Sequence, residues 1–208
     1  MYLYIFGSAC RGELDKNSDI DMLAIHSRNE NINHLDGDKL SIYSEDKIKK
    51  IWSDGNPFAW HLYSESKLVY SPNNSNFIEN LKKPAPYTAG LLDCKKFLSI
   101  LLSASNSFKN DHLSLIFDLS TIFLCIRNIA TCFSLQFDRP IFSRNSPMHL
   151  GTLSLNIKIE VYQILEKCRL ATTRGKSIQV TIDEINMIKN ELKYIIIWAE
   201  TLIQRIET

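Results

Sequence analysis

Two short apolar runs near the start of the chain, Met1–Ile5 and Ile20–Ile25, enclose a Gly7-Ser8 pair and a polar stretch. Each run has the length and branched or aromatic character of a strand. Acids stand at Asp19 and Asp21, on either side of Ile20. Side chains alternate faces along a strand, so the two carboxylates share one face while Ile20 turns into the core. They are spaced about 6.6 Å apart along the chain, which suits joint coordination of one or two divalent ions. The Gly-Ser pair ends the first strand and opens a short helix, where a hydroxyl and free backbone N–H groups suit a polyphosphate.

Gly7-Ser8, ten intervening residues, then Asp19-Ile20-Asp21 resembles the signature of the DNA polymerase β-like nucleotidyltransferase superfamily. The fuller string Gly7-Ser8-Ala9-Cys10-Arg11-Gly12 with Ser18-Asp19-Ile20-Asp21 is most similar to its minimal and kanamycin nucleotidyltransferase-like members. The motif spans about a tenth of the chain and gains its weight from being compound, ordered and set on the right elements. The resemblance implies that Asp19 and Asp21 are catalytic and hold Mg²⁺ or Mn²⁺, and that Gly7 and Ser8 bind the nucleoside triphosphate. Arg11, just past the turn, is read either as a phosphate ligand or as a solvated surface arginine.

The superfamily usually adds a third carboxylate on a neighbouring strand, and here that strand, Lys39–Ser44, contains no acid. Asp36 and Asp38 lie just before it, and Glu65 lies just before the next strand, Lys67–Ser71. A substituted third ligand implies an active transferase. A missing one implies a degenerate domain that binds nucleotide without turning it over.

The remaining pattern divides the chain. Ser44 is placed to cap a helix over Glu45–Ser53 with an apolar face of Ile48, Ile51 and Trp52. Asn56-Pro57 starts a second helix through Tyr63. Phe77, Ile78 and Leu81 form a short third one. Two prolines in Lys82–Tyr87 mark a boundary between a nucleotidyltransferase domain at residues 1–82 and a helical bundle at 88–208. Helices are expected over Ala89–Ser105, from Leu113 to Phe137 behind a cap at Asp111, over Leu155–Thr173, and from a Thr181/Glu184 capping box to the end. The fold class is therefore α+β: a small mixed sheet followed by an α-helical bundle. His61 reads as a core-edge histidine. Arg127 reads equally as a ligand contact or as a structural arginine. The helical half is similar to those paired with minimal nucleotidyltransferases, including the HEPN class. No histidine follows Arg127 at that class's Arg-x(4–6)-His spacing, so no ribonuclease chemistry is expected.

Composition narrows the partners. With 24 basic and 23 acidic residues the net charge is +1, too little to demand a polyanion. Five widely spaced cysteines, without a C-x-x-C, suit a reducing cytoplasmic setting better than disulfides or zinc. The apolar stretch Leu113–Phe137 is interrupted by Asp118 and Arg127 and reads as a buried helix, with no membrane partner. The expected activity is transfer of a nucleoside monophosphate, AMP from ATP, to a hydroxyl on a small molecule, a protein or an RNA end. The alternative is a regulatory or antitoxin-like module acting through nucleotide, a partner protein or a homo-oligomer. An RNA-tailing polymerase fits less well, since no basic, aromatic-rich channel is visible.

Overall fold

The computed structural model describes residues 1–13, 20–33, 35–37, 40–110 and 113–208, in two compact units, Met1–Thr88 and Ala89–Thr208. Asp19, Asp38 and Asp111 lie outside the described residues.

The first unit is a four-stranded mixed sheet backed by helices. Strands β1 (Tyr2–Phe6), β2 (Asp21–His26), β3 (Ser41–Ser44) and β4 (Lys67–Tyr70) are ordered β3-β2-β1-β4. β1 runs antiparallel to β2 and β4, while β2 and β3 are parallel. A one-turn helix, α1 (Ser8–Arg11), follows β1. Helices α2 (Glu45–Ser53), α3 (Pro57–Glu65) and α4 (Phe77–Leu81) come later in the unit.

Local chemistry explains the boundaries. The Ser44 hydroxyl accepts the Lys47 N–H at 3.2 Å to start α2, and the Asn56 side chain accepts the Phe58 N–H at 2.8 Å to start α3. Tyr4, Phe6, Leu23 and Ile25 leave one face of the sheet and meet Ile48, Ile51, Trp52, Ala59, Leu62, Phe77 and Ile78 in a single core. The phenol of Tyr4 is satisfied inside it, donating to Asn76 Oδ1 at 2.8 Å and accepting the Ile78 N–H at 3.1 Å. The proline segment belongs to this unit. Trp52 and Trp60 donate their indole N–H groups to the carbonyls of Lys82 and Ala85, at 2.8 and 3.0 Å. Gly55 (φ +63°) lets the chain pass so closely that a Cβ there would stand 2.3 Å from the Pro86 carbonyl oxygen.

The second unit consists of α5 (Gly90–Asn110), α6 (Leu115–Gln136), α7 (Ile159–Thr173) and α8 (Ile182–Glu207), with two 3₁₀ turns, Ser146–His149 and Gly151–Leu153, between α6 and α7. α6 is the central helix, packed against α5, α7 and α8. By length and composition it is apolar enough to cross a membrane, but most of it is buried in this bundle. All five cysteines are free thiols.

Three helix expectations are corrected. α5 continues to Asn110 rather than ending at Ser105, because Phe108 extends its buried stripe. α6 starts behind Ser114, whose hydroxyl bonds the Asp118 carboxylate at 2.9 Å instead of a backbone N–H. α7 begins at Ile159 rather than Leu155, because the backbone is non-helical at Lys158 (φ −58°, ψ 132°). The capping box of α8 is formed as expected, with Thr181 N–H to Glu184 at 2.7 Å and Glu184 N–H to the Thr181 hydroxyl at 3.2 Å. Along α8, Ile182 is 76% exposed, while Ile188, Leu192, Ile195, Trp198, Leu202 and Ile203 are buried.

Candidate active site

The end of β1 sets the geometry. Phe6 is the last strand residue, and Gly7 turns the chain with φ +70° and ψ −137°, a conformation open essentially to glycine alone. The Gly7 carbonyl accepts the N–H groups of Cys10 and Arg11 at 3.0 and 3.3 Å, closing the single turn of α1. The N–H groups of Ser8 and Ala9 stand at the start of this turn, ahead of any intrahelical acceptor. The Cys10 thiol donates back to the Ile5 carbonyl at 3.4 Å, and its burial pushes its pKa up.

Asp21 opens β2 opposite Phe6 in the antiparallel register. Its side chain therefore leaves the same face as Phe6, and its carboxylate lies directly against the turn. A Cβ placed on Gly7 would sit 2.9 Å from Asp21 Oδ2 and 3.8 Å from His61 Cε1. Asp21 is exposed and therefore accessible to an ion from solvent. Asp19, its expected companion, lies outside the described residues. Among the described residues no three His, Cys, Asp or Glu side chains converge as a metal site. The oxygen donor that β2 offers beside this turn, the Asp21 carboxylate, is of the type that suits a hard divalent cation such as Mg²⁺.

Behind the turn lies a charged network. Arg11 donates through Nη1 to Glu65 Oε2 in a short ion pair, and through Nε to Glu13 Oε2 at 2.9 Å. His61, one turn before Glu65 on α3, reaches the same Glu65 oxygen at 3.0 Å and sets its ring edge-on to Phe6, with centroids 5.6 Å apart. Burial alone would raise the Glu65 pKa, but the His61 hydrogen bond and the Arg11 charge outweigh it and hold the carboxyl below the usual range. Glu65 is thus a carboxylate engaged by two cationic or hydrogen-bonding neighbours. Arg11 is a paired arginine rather than a solvated one.

The remaining candidates separate. β3 carries no acid, and its Ser41 stands opposite Leu23 of β2. Asp36 is exposed in the loop before β3, where its carbonyl accepts the Leu40 N–H at 3.0 Å. Arg127 donates to the Phe142 carbonyl at 3.2 Å, tying α6 to the loop that follows it, which favours the structural reading. His61 is the residue that sequence reasoning set aside and the fold brings to the turn. The signal was its i,i+4 spacing from Glu65 on a short helix.

This turn, strand and flanking helix belong to the first unit, which precedes the helical bundle in the chain. Residues 2–87 match the family described as the nucleotidyltransferase domain, a stretch that takes in nearly all of the first unit. The first unit is thus a nucleotidyltransferase domain of the polymerase β-like superfamily. No curated protein matches the chain.

Proposed function

We propose that the protein is a Mg²⁺-dependent nucleotidyltransferase that moves AMP from ATP to a hydroxyl of an acceptor molecule in the cytoplasm. The single observation that supports this reading is the Asp21 carboxylate set against the Gly7 turn, an acid suited to an ion beside backbone N–H groups suited to phosphate. In the reaction the acceptor hydroxyl loses its proton to solvent, its oxygen bonds to the α-phosphorus, the bond to the bridging oxygen breaks, and pyrophosphate leaves with that electron pair. Asp19 and Asp21 would hold the divalent ions, which supply charge neutralisation of the phosphates and a lowered pKa for the acceptor hydroxyl. Gly7 leaves room for the phosphates to approach the backbone, and the Ser8 N–H and hydroxyl offer them donors. The Arg11 guanidinium is neutralised by Glu65 and Glu13, and would meet a phosphate only by exchanging one of these carboxylates for it.

A second reading is favoured by a specific observation. Glu65, which reaches this turn through Arg11, is already engaged, and β3 supplies no carboxylate. A domain so equipped binds ATP and acts as a regulatory or antitoxin-like module through a partner protein. Incubation with α-labelled ATP, Mg²⁺ or Mn²⁺ and cell extract separates the two. A labelled product that disappears with Asp21→Asn supports transfer. Tight ATP binding without any labelled product supports regulation.

A further inference from the structure

The second unit contains a cavity of about 660 Å³ that the nucleotidyl-transfer chemistry does not use. Its floor is apolar, built from Phe133, Ile141 and Leu153, and its rim carries Arg139, His149 and Arg205. No acidic residue lines it among the described residues. The three rim residues come from three different segments: the loop after α6, the first 3₁₀ turn and the last turn of α8. Among the described residues, none of these side chains forms an ion pair or hydrogen bond. Two guanidinium groups on one rim, with no acid among the lining residues, make it a favourable place for an anion.

The walls are built by the protein's own hydrogen bonds. Ile141 is clamped to α6 through both backbone groups: its N–H donates to the Ser134 hydroxyl at 3.0 Å, and its carbonyl accepts from Thr131 at 3.0 Å. The Arg139 N–H donates to the Ser134 carbonyl at 2.9 Å, which fixes where that side chain departs. Across the cavity, the Leu153 carbonyl accepts the Trp198 indole N–H at 2.8 Å, fastening the second 3₁₀ turn to α8. Gly151, also on the lining, leaves open space where a side chain would stand.

From this arrangement we propose that the cavity binds a small amphipathic organic anion, its apolar body on Phe133, Ile141 and Leu153 and its carboxylate or phosphate between Arg139 and Arg205. The size falls within the range of small-molecule pockets. Two guanidinium forks match the planar or tetrahedral oxygens of such a head. The proposal is independent of nucleotide transfer, since every lining residue belongs to the second unit.

The test titrates the full chain with anilinonaphthalene sulfonate, a fluorescent aromatic anion, and with uncharged phenylnaphthylamine. The sulfonate is expected to bind at one site and to lose at least about tenfold in affinity in Arg139→Gln/Arg205→Gln, while the neutral dye is unaffected. Both arginines are exposed, so the thermal melt should not move. If the double variant melts early, Arg205→Gln alone serves, and Ile141→Trp, which fills the floor, should weaken both dyes. Competition by phenyl phosphate or by benzoate identifies the head group, and failure of both overturns the proposal. So does sulfonate binding that ignores the arginines, or displacement by oligouridylate at comparable affinity, which would mark a nucleic-acid surface.

Discussion

The Asp21 carboxylate occupies the space beside Gly7 into which any other residue would project its Cβ, with Oδ2 2.9 Å from that position. Gly7 is required twice over, once by its positive φ and once by this close approach. Gly7→Ala is therefore expected to cost about 1–3 kcal/mol of stability from backbone strain, and to push Asp21 off the turn. A urea titration reads the first effect, and calorimetry of Mg²⁺-ATP binding reads the second. An alanine variant with unchanged melting and unchanged affinity would refute the coupling of turn and carboxylate.

Asp21→Asn tests the carboxylate alone. Asp21 is exposed, so the fold should survive with an unaltered thermal midpoint. Metal-dependent ATP affinity should fall by at least the roughly 10–100-fold that outer partners of metal ligands cost. Binding that persists at full strength in the folded variant would remove Asp21 from the ion site.

The helical unit offers a stability test independent of nucleotide. Asp118 on α6 is only 4% exposed and accepts hydroxyls from Ser107 and Ser114, each at 2.9 Å. Asp118→Ala strands both hydroxyls and is expected to cost about 1–3 kcal/mol. Asp118→Asn keeps an acceptor oxygen and should lose less. Urea midpoints of the two variants in the opposite order would show that the carboxylate is not what joins α5 to α6.

Local rules made much of the fold legible, and tertiary pairing explains the rest. The cap at Ser44, the Asn56-Pro57 start and the Thr181/Glu184 box each depend on a few neighbouring residues, so the sequence carries them in full. The start of α7 lies beyond Leu155 because the backbone breaks at Lys158, which the apolar spacing of Leu155–Thr173 does not encode. The site shows the same division. Gly7 and Asp21 form a motif in sequence, whereas the Arg11–Glu65 ion pair joins residues 54 positions apart and becomes visible only once β4 lies beside β1. That pairing also explains why Glu65, read as a spare metal ligand, is already committed.

Glu65 supplies the last prediction, because its environment fixes both a pH dependence and a functional choice. Burial would raise its pKa, but His61 and Arg11 together lower it below the ordinary 4.5. A carboxyl depressed in the folded state contributes stability that is complete above the unfolded value and vanishes as the pH falls through the folded one. The difference in urea midpoint between the native chain and Glu65→Gln should thus be constant above about pH 5 and shrink in acid. A difference that grows on acidification would mean that the folded state favours the protonated acid. The same variant separates the two functional readings. Glu65 does not hold the nucleotide-side ion in either of them, so ATP binding should survive. If the native chain labels an acceptor from α-labelled ATP and Glu65→Gln does not, Glu65 serves transfer, whether by holding Arg11 and His61 in place or by turning to the acceptor's ion. Glu65→Asp, which keeps the charge on a shorter stem, should then restore part of the rate. If the native chain binds ATP with no product and the variant behaves identically, the network is structural and the nucleotide is a regulatory ligand.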